Sequence, residues 1–139
     1  MLEKVTDMKR IRLLWPFIRQ GLGIVSQHSP DNWIPEDVFM ALSTGAAFLH
    51  ISTQEGTMAG FVVLTFSQGY SGRECHVWCA YNTGPSGGLK GEDAGVAEIA
   101  AQEGCKFLTF FSPRPGWERL APELGWEKVH TLYRKEVGI

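Results

Sequence analysis

With 139 residues, 44% of them hydrophobic and 20% charged, the chain has the make-up of an ordinary globular domain, residues 1–139. A formal net charge of −2 gives no electrostatic case for a nucleic-acid or anionic-membrane partner. No apolar run approaches the ~20 residues of a membrane span, and the N-terminal MLEKVTDMKR lacks the apolar core of a signal peptide. Three cysteines are an odd number without finger-like spacing. Cys75 and Cys79 fall on one face of a strand, about 13 Å apart at ~3.3 Å per residue, too far for a disulfide. Reduced, buried thiols fit synthesis in a cytoplasm.

Residues 3–6 read as a first strand. Thr6 or Asp7 can cap a helix through MKRIRLLWPFIRQGL, with Ile11, Leu14, Trp15 and Ile18 on one stripe. Pro16 predicts a kink or break in it. In the next helix Pro35 suits the first helical position, Glu36 and Asp37 favour the positive end of the dipole, and Gly45 suits the stop. Its inward face is expected to be Val38, Phe39, Ala41 and Leu42.

Strands are predicted over 46–53, 57–68 and 73–82. The separators QEG and GYSG are of hairpin length and contain glycine, so the three form an antiparallel meander. After the Gly-rich TGPSGGLKG a helix is expected to begin near Glu92-Asp93, with Val96, Ile99 and Ala100 inward and Gly104 as its stop. KFLTFFS (106–112) reads as a buried strand, 117–124 as a short helix and 126–137 as a last strand. A helix between the fourth and fifth strands implies a parallel crossover. The expected fold class is α+β: a mixed, mostly antiparallel six-stranded sheet flanked by about four helices.

The closing segment WERLAPELGWEKVHTLYRKEV, a helix and a Gly-aromatic turn before a strand, resembles the end of acetyl-CoA-dependent N-acetyltransferases of the GNAT superfamily. The element order resembles theirs along essentially the whole chain. The resemblance implies acetyl-CoA as cofactor, held by backbone N–H groups at the start of the third helix and by a splayed fourth strand. It also implies a base for the acceptor amine and an acid for the thiolate.

The superfamily's pyrophosphate pattern, Gln/Arg-x-x-Gly-x-Gly/Ala, is not reproduced. Gly84, Gly87 and Leu89 occupy its positions in one alignment, and Pro85, Gly88 and Lys90 in the next. Ala121 stands where a Tyr often serves as acid. The candidate cofactor residues are Tyr81, Asn82, Ser86, Gly87, Gly88 and Lys90. An acidic pair at the helix start would repel a pyrophosphate. Glu74 and His76 share a face of the fourth strand with Trp78 and are the candidate bases. No metal-ligand spacing appears among the four histidines.

The WIPEDV and RPGWER stretches resemble small GNAT-like proteins of phages, some of them virion components. Two readings therefore stand. One is a phage protein with a degenerate acetyl-CoA site, acting through virion or host protein contacts and reaching the virion from the host cytoplasm. The other is an active N-acetyltransferase for an amine or protein substrate.

Overall fold

A computed structural model describes residues 2–84 and 88–138. These residues form five strands and four helices. In chain order they are β1 (Leu2–Val5), α1 (Met8–Ser26), α2 (Pro35–Thr44), β2 (Phe48–Gln54), β3 (Thr57–Gly69), β4 (Gly72–Asn82), α3 (Gly88–Gln102), β5 (Phe107–Thr109) and α4 (Trp117–Glu123). The sheet order is β1-β2-β3-β4-β5. The first three pairings are antiparallel and β4–β5 is parallel, as the α3 crossover requires. The architecture is thus mixed α+β with a five-stranded sheet among the described residues. No described helix is long and apolar enough to cross a membrane.

Local chemistry explains the element ends. The Asp7 carboxylate accepts from Lys9 N–H at 3.0 Å and caps α1. Pro35 opens α2, Asp37 Oδ2 accepts from Ile34 N–H at 2.9 Å, and Gly45 ends the helix at φ 79°. Glu55 and Gly56 both have positive φ, which a two-residue turn matched to the twist of β2 and β3 demands.

The sheet carries a core on each face. Against α1 and α2 lie Val5, Leu49, Ile51, Phe61, Val63 and Cys79, meeting Ile11, Ile18, Leu22, Val38 and Leu42. Against α3 lie Val62, Leu64, Cys75 and Val77, meeting Leu89, Val96 and Ala100. Each such side chain contributes roughly 1.5–3 kcal/mol by leaving water. Gly21 lets α1 approach closely: a Cβ there would lie 2.7 Å from both the Phe61 and the Tyr81 ring.

Several expectations require correction. Helix α1 runs through Pro16 without a break. The proline is exposed, so the carbonyl it orphans faces solvent, while buried residues on either side of it hold the helix to the sheet. Helix α3 begins at Gly88 rather than near Glu92, because Leu89 buries its side chain in the α3-side core and so favours a helix already at Gly88. Strand β5 stops at Thr109 instead of reaching 112. The sixth strand, expected over 126–137, is not formed: residues 126–138 have no regular structure, and all from 127 onward are exposed.

Finally, Cys75 and Cys79 do not share a face. The β3–β4 register shifts between Val63 and Leu64, so that Leu64 opposes Val77 and Val63 opposes Cys79. Trp78 is the extra residue of a β-bulge, which reverses the alternation beyond it. Cys75 therefore packs beneath α3 and Cys79 beneath α1 and α2.

Candidate active site at the separation of β4 and β5

Strand β5 pairs with β4 over three residues only: Glu74 with Phe107, Cys75 with Leu108 and His76 with Thr109. β4 continues six residues further, to Asn82, still paired with β3 but with no β5 partner. The two strands separate at His76 and Thr109, and the bulge at Trp78 lies just beyond that point.

Beyond the separation the far edge of β4 has no strand partner among the described residues. Thr83 N–H donates to the Ala59 carbonyl at 2.9 Å. Hydrogen-bonded and non-hydrogen-bonded pairs alternate along an antiparallel ladder. Tyr81 is therefore the residue that bonds Phe61, while Ala80 and Asn82 turn their peptide N–H and C=O to the far edge. Gly88, the first residue of α3, closes on that edge: a Cβ there would lie 3.3 Å from the Ala80 carbonyl oxygen.

The acidic pair expected to guard the helix start is placed differently. Glu92 and Asp93 lie beyond the first turn of α3, which holds no acidic residue. The Glu92 carboxylate is buried and accepts from Ser52 Oγ at 3.0 Å and from Asn82 Nδ2. Asp93 accepts from the Trp126 indole N–H at 2.7 Å. Trp126 in turn packs edge-on to Phe110, which is tilted against Trp117. Neither carboxylate lies in the first turn, but Glu92 has no cation partner among the described residues, so its charge stands one turn from the helix start. Lys90, in that first turn, is exposed.

The candidate bases differ in position. Glu74 and His76 both face α1 and α2, opposite Ser67 and Thr65. Glu74 lies nearer the β3–β4 hairpin, its carboxylate folded over Gly69 where a Cβ would clash with Oε2. His76 lies at the separation itself. Its Nδ1 is 2.9 Å from Thr109 Oγ1, and its ring is tilted against Phe111 at 4.8 Å between centroids. Burial lowers the imidazole pKa below the usual value, and the Glu74 charge opposes that shift. In the neutral tautomer that donates Nδ1–H to Thr109 Oγ1, Nε2 is the nitrogen left to accept a proton. Trp78, two residues on, packs edge-on to Trp33 at 5.9 Å.

Among the expected cofactor residues, Asn82 and Gly88 come together at the β4 edge. Tyr81 turns its ring the other way, packing with Phe17 and Phe61 beneath α1. Ser86 and Gly87 lie outside the described residues. Thr109 and Ala80 were not singled out from the sequence; the length of paired β5, which no local pattern marks, brings them into the site, while Glu92 was expected there only as one of a repelling acidic pair. A cleft of about 570 Å³ lined by Arg12, Trp15, Glu36, Phe39, Met40 and Ser43 lies between α1 and α2 and takes no residue from β4, β5 or α3.

No protein-family model matches this chain. No curated protein sequence matches it either. Solved structures do. The ribosomal-protein-alanine N-acetyltransferase from Brucella melitensis biovar Abortus 2308 is 15% identical with a TM-score of 0.69, over 99% of each chain. An aminoglycoside N-acetyltransferase in complex with CoA is 19% identical with a TM-score of 0.61, over 99% of this chain and all of that one. A predicted acetyltransferase from Clostridium acetobutylicum, solved with acetyl-CoA, is 18% identical with a TM-score of 0.57, over 98% and 96%. At such identities the likeness establishes the fold: this chain has the fold of these GNAT-type acetyltransferases, two of them solved with CoA or acetyl-CoA.

Proposed function

We propose that this chain is an acetyl-CoA-dependent N-acetyltransferase with its site at the separation of β4 and β5. The observation that carries this reading is the pair of outward-turned peptide groups at Ala80 and Asn82, without a strand partner, beside the α3 N-terminus. Such groups suit the amides of a pantetheine arm, and helix N–H groups suit a pyrophosphate. Gly88 would belong to that cradle, and Lys90 would add charge at its rim. When bound, acetyl-CoA supplies an acetyl group activated as a thioester. His76 is the general base: it takes the proton released by the acceptor amine at Nε2, while Thr109 holds Nδ1. Glu74 modulates that base from the neighbouring position on the strand.

Calorimetric titration with acetyl-CoA tests the reading. Saturable binding in the micromolar range is expected; no saturable heat up to millimolar concentration would overturn it.

One observation favours a second reading, a phage-particle component that works through protein contacts. Val129, Leu132, Tyr133 and Val137 are exposed on the unpaired C-terminal segment, an arrangement suited to a protein partner. Mass spectrometry of purified particles tests it: the protein should be found there in stoichiometric amount, and its absence sinks this second reading.

A further inference from the structure

Glu92 is 7% exposed, and its hydrogen-bond partners are two neutral groups, Ser52 Oγ and Asn82 Nδ2, both on Oε1. No ion pair neutralises it among the described residues. Buried carboxylates are costly and are normally paired with a cation. Apolar side chains of similar volume would serve the core at least as well, so stability does not explain the group.

Its connections suggest what does. Asn82 closes β4 and spends both ends of its amide: Nδ2 donates to Glu92, and Oδ1 accepts from the Gly84 N–H at 2.6 Å. Ser52 brings in β2. The neighbouring Gly60 on β3 has no room for a side chain, since a Cβ would lie 2.5 Å from the Tyr81 carbonyl and 3.0 Å from Asn82 Nδ2. Two strands, β2 and β4, are thus fastened to α3 at one carboxylate oxygen, next to the β4 edge at Ala80 and Asn82.

We propose that Ser52, Asn82 and Glu92 form a positioning device that fixes the first turn of α3 against the free edge of β4. The two surfaces expected to hold the ends of one CoA molecule then keep a constant spacing. None of the three residues touches the reacting atoms. The inference rests on the N-acetyltransferase reading for its ligand, but the fastening itself is a property of the free protein. What the device needs from Glu92 is an acceptor oxygen rather than a charge. A negative charge near an anion site is a disadvantage, so a neutral acceptor should do as well or better.

The test compares Glu92→Gln, Glu92→Leu and Asn82→Ala with the parent chain by calorimetry with CoA, thermal melting and amide hydrogen exchange. Glu92→Gln should bind CoA at least as tightly as the parent. Glu92→Leu should melt no more than a few degrees lower, or higher, and yet bind CoA at least tenfold more weakly. Asn82→Ala should lose exchange protection at the Gly84 amide and bind at least tenfold more weakly. The proposal is overturned if Glu92→Leu binds CoA like the parent, or if Glu92→Gln is as impaired as Glu92→Leu. Should the parent not bind CoA at all, the N-acetyltransferase reading fails. Exchange at Gly84 in the ligand-free variants then still decides the fastening, which is refuted if Asn82→Ala and Glu92→Leu leave that amide protected.

Discussion

His76 Nδ1 lies 2.9 Å from Thr109 Oγ1, and these two residues are the last that β4 and β5 pair. The contact thus lies where the parallel ladder ends, and it orients the imidazole at that point. Replacing His76 by Ala should lower kcat/KM by about 10²–10⁴-fold, the usual worth of a general base. Thr109→Val should lower kcat with little change in KM for acetyl-CoA, because Nδ1 loses its partner while the backbone groups of β4 stay in place. Steady-state kinetics on both variants check this, and an unchanged rate in His76→Ala would remove it from the mechanism.

The same histidine sets a pH dependence. Its pKa lies below the usual 6.5, chiefly through burial, with Glu74 working the other way. With the neutral ring as the base of the proposed mechanism, kcat/KM should rise with pH through an inflection below 6.5 and stay level above it. Glu74→Gln removes the opposing charge, so its inflection should fall lower still. An inflection moving upward in that variant would contradict the assignment.

His50 offers a separate test, of stability. It is buried at 5% exposure beneath α3, its Nδ1 has no hydrogen-bond partner, and burial depresses its pKa to about 4, with Lys4 adding to the shift. The folded state holds the neutral ring, and the unfolded chain binds a proton near the ordinary 6.5. The stability linked to this group is therefore fully present above pH 6.5 and is lost as the pH falls through that value towards 4. The whole loss is on the order of 3 kcal/mol. Chemical denaturation at intervals from pH 8 to 4 should show this slope in the parent and a shallower one in His50→Leu. Equal slopes would mean that other groups dominate the acid limb.

Where residues carry their own local instruction, sequence and structure agree. Asp7, Pro35 and Gly45 mark helix ends by their hydrogen bonding and φ preference, and the glycine-bearing separators mark the hairpins, so these elements were legible. What was not legible depends on partners distant in sequence. Nothing in RECHVWCAYN announces a bulge at Trp78, yet that one residue moves Cys79 to the other face and shifts the register at the site. Gly88 reads as loop in the sequence, because nothing local marks it as the start of a helix whose next residue, Leu89, is buried in the α3-side core. The segment 126–137 has the β-branched and aromatic content of a strand, but a strand needs an edge to pair with, and β5 ends at Thr109. Glu74 and His76 were both named from their type; that His76 sits where β5 leaves β4 could not be read without knowing where β5 stops.

Gly60 tests how tightly β3 and β4 are fitted around Asn82. A Cβ at this position would press on the Tyr81 carbonyl oxygen and the Asn82 amide, and the first of these is backbone that cannot move alone. Gly60→Ala should therefore cost about 1–3 kcal/mol, as overpacking does. Gly23→Ala is the control, since a Cβ there meets nothing within 4 Å and lies in a helix interior, where alanine is favoured. Urea titration should place the two variants on opposite sides of the parent.

Trp126 is the last residue of the chain that is not fully exposed before the unpaired C-terminal segment. Its indole N–H donates to Asp93, its ring meets Phe110 at 4.7 Å, and its own N–H donates to the Ala121 carbonyl at 2.8 Å. Beyond it the segment is tied down by exposed contacts, Lys128 to Glu118 and Arg134 to Asp31 and the Pro30 carbonyl. Exposed ion pairs contribute little, typically about 0–1 kcal/mol each. Trp126 therefore carries most of the attachment between this segment and α3. Trp126→Phe keeps the aromatic contact and loses the hydrogen bond to Asp93, which should cost about 1–2 kcal/mol. Trp126→Ala loses both and should cost more, about 2–4 kcal/mol, allowing for a side chain that is only half-buried. Limited proteolysis should show cleavage after Lys128 or Arg134 accelerating in the order parent, Phe, Ala. If the alanine variant were cut no faster than the parent, the anchor would have to lie in the ion pairs instead.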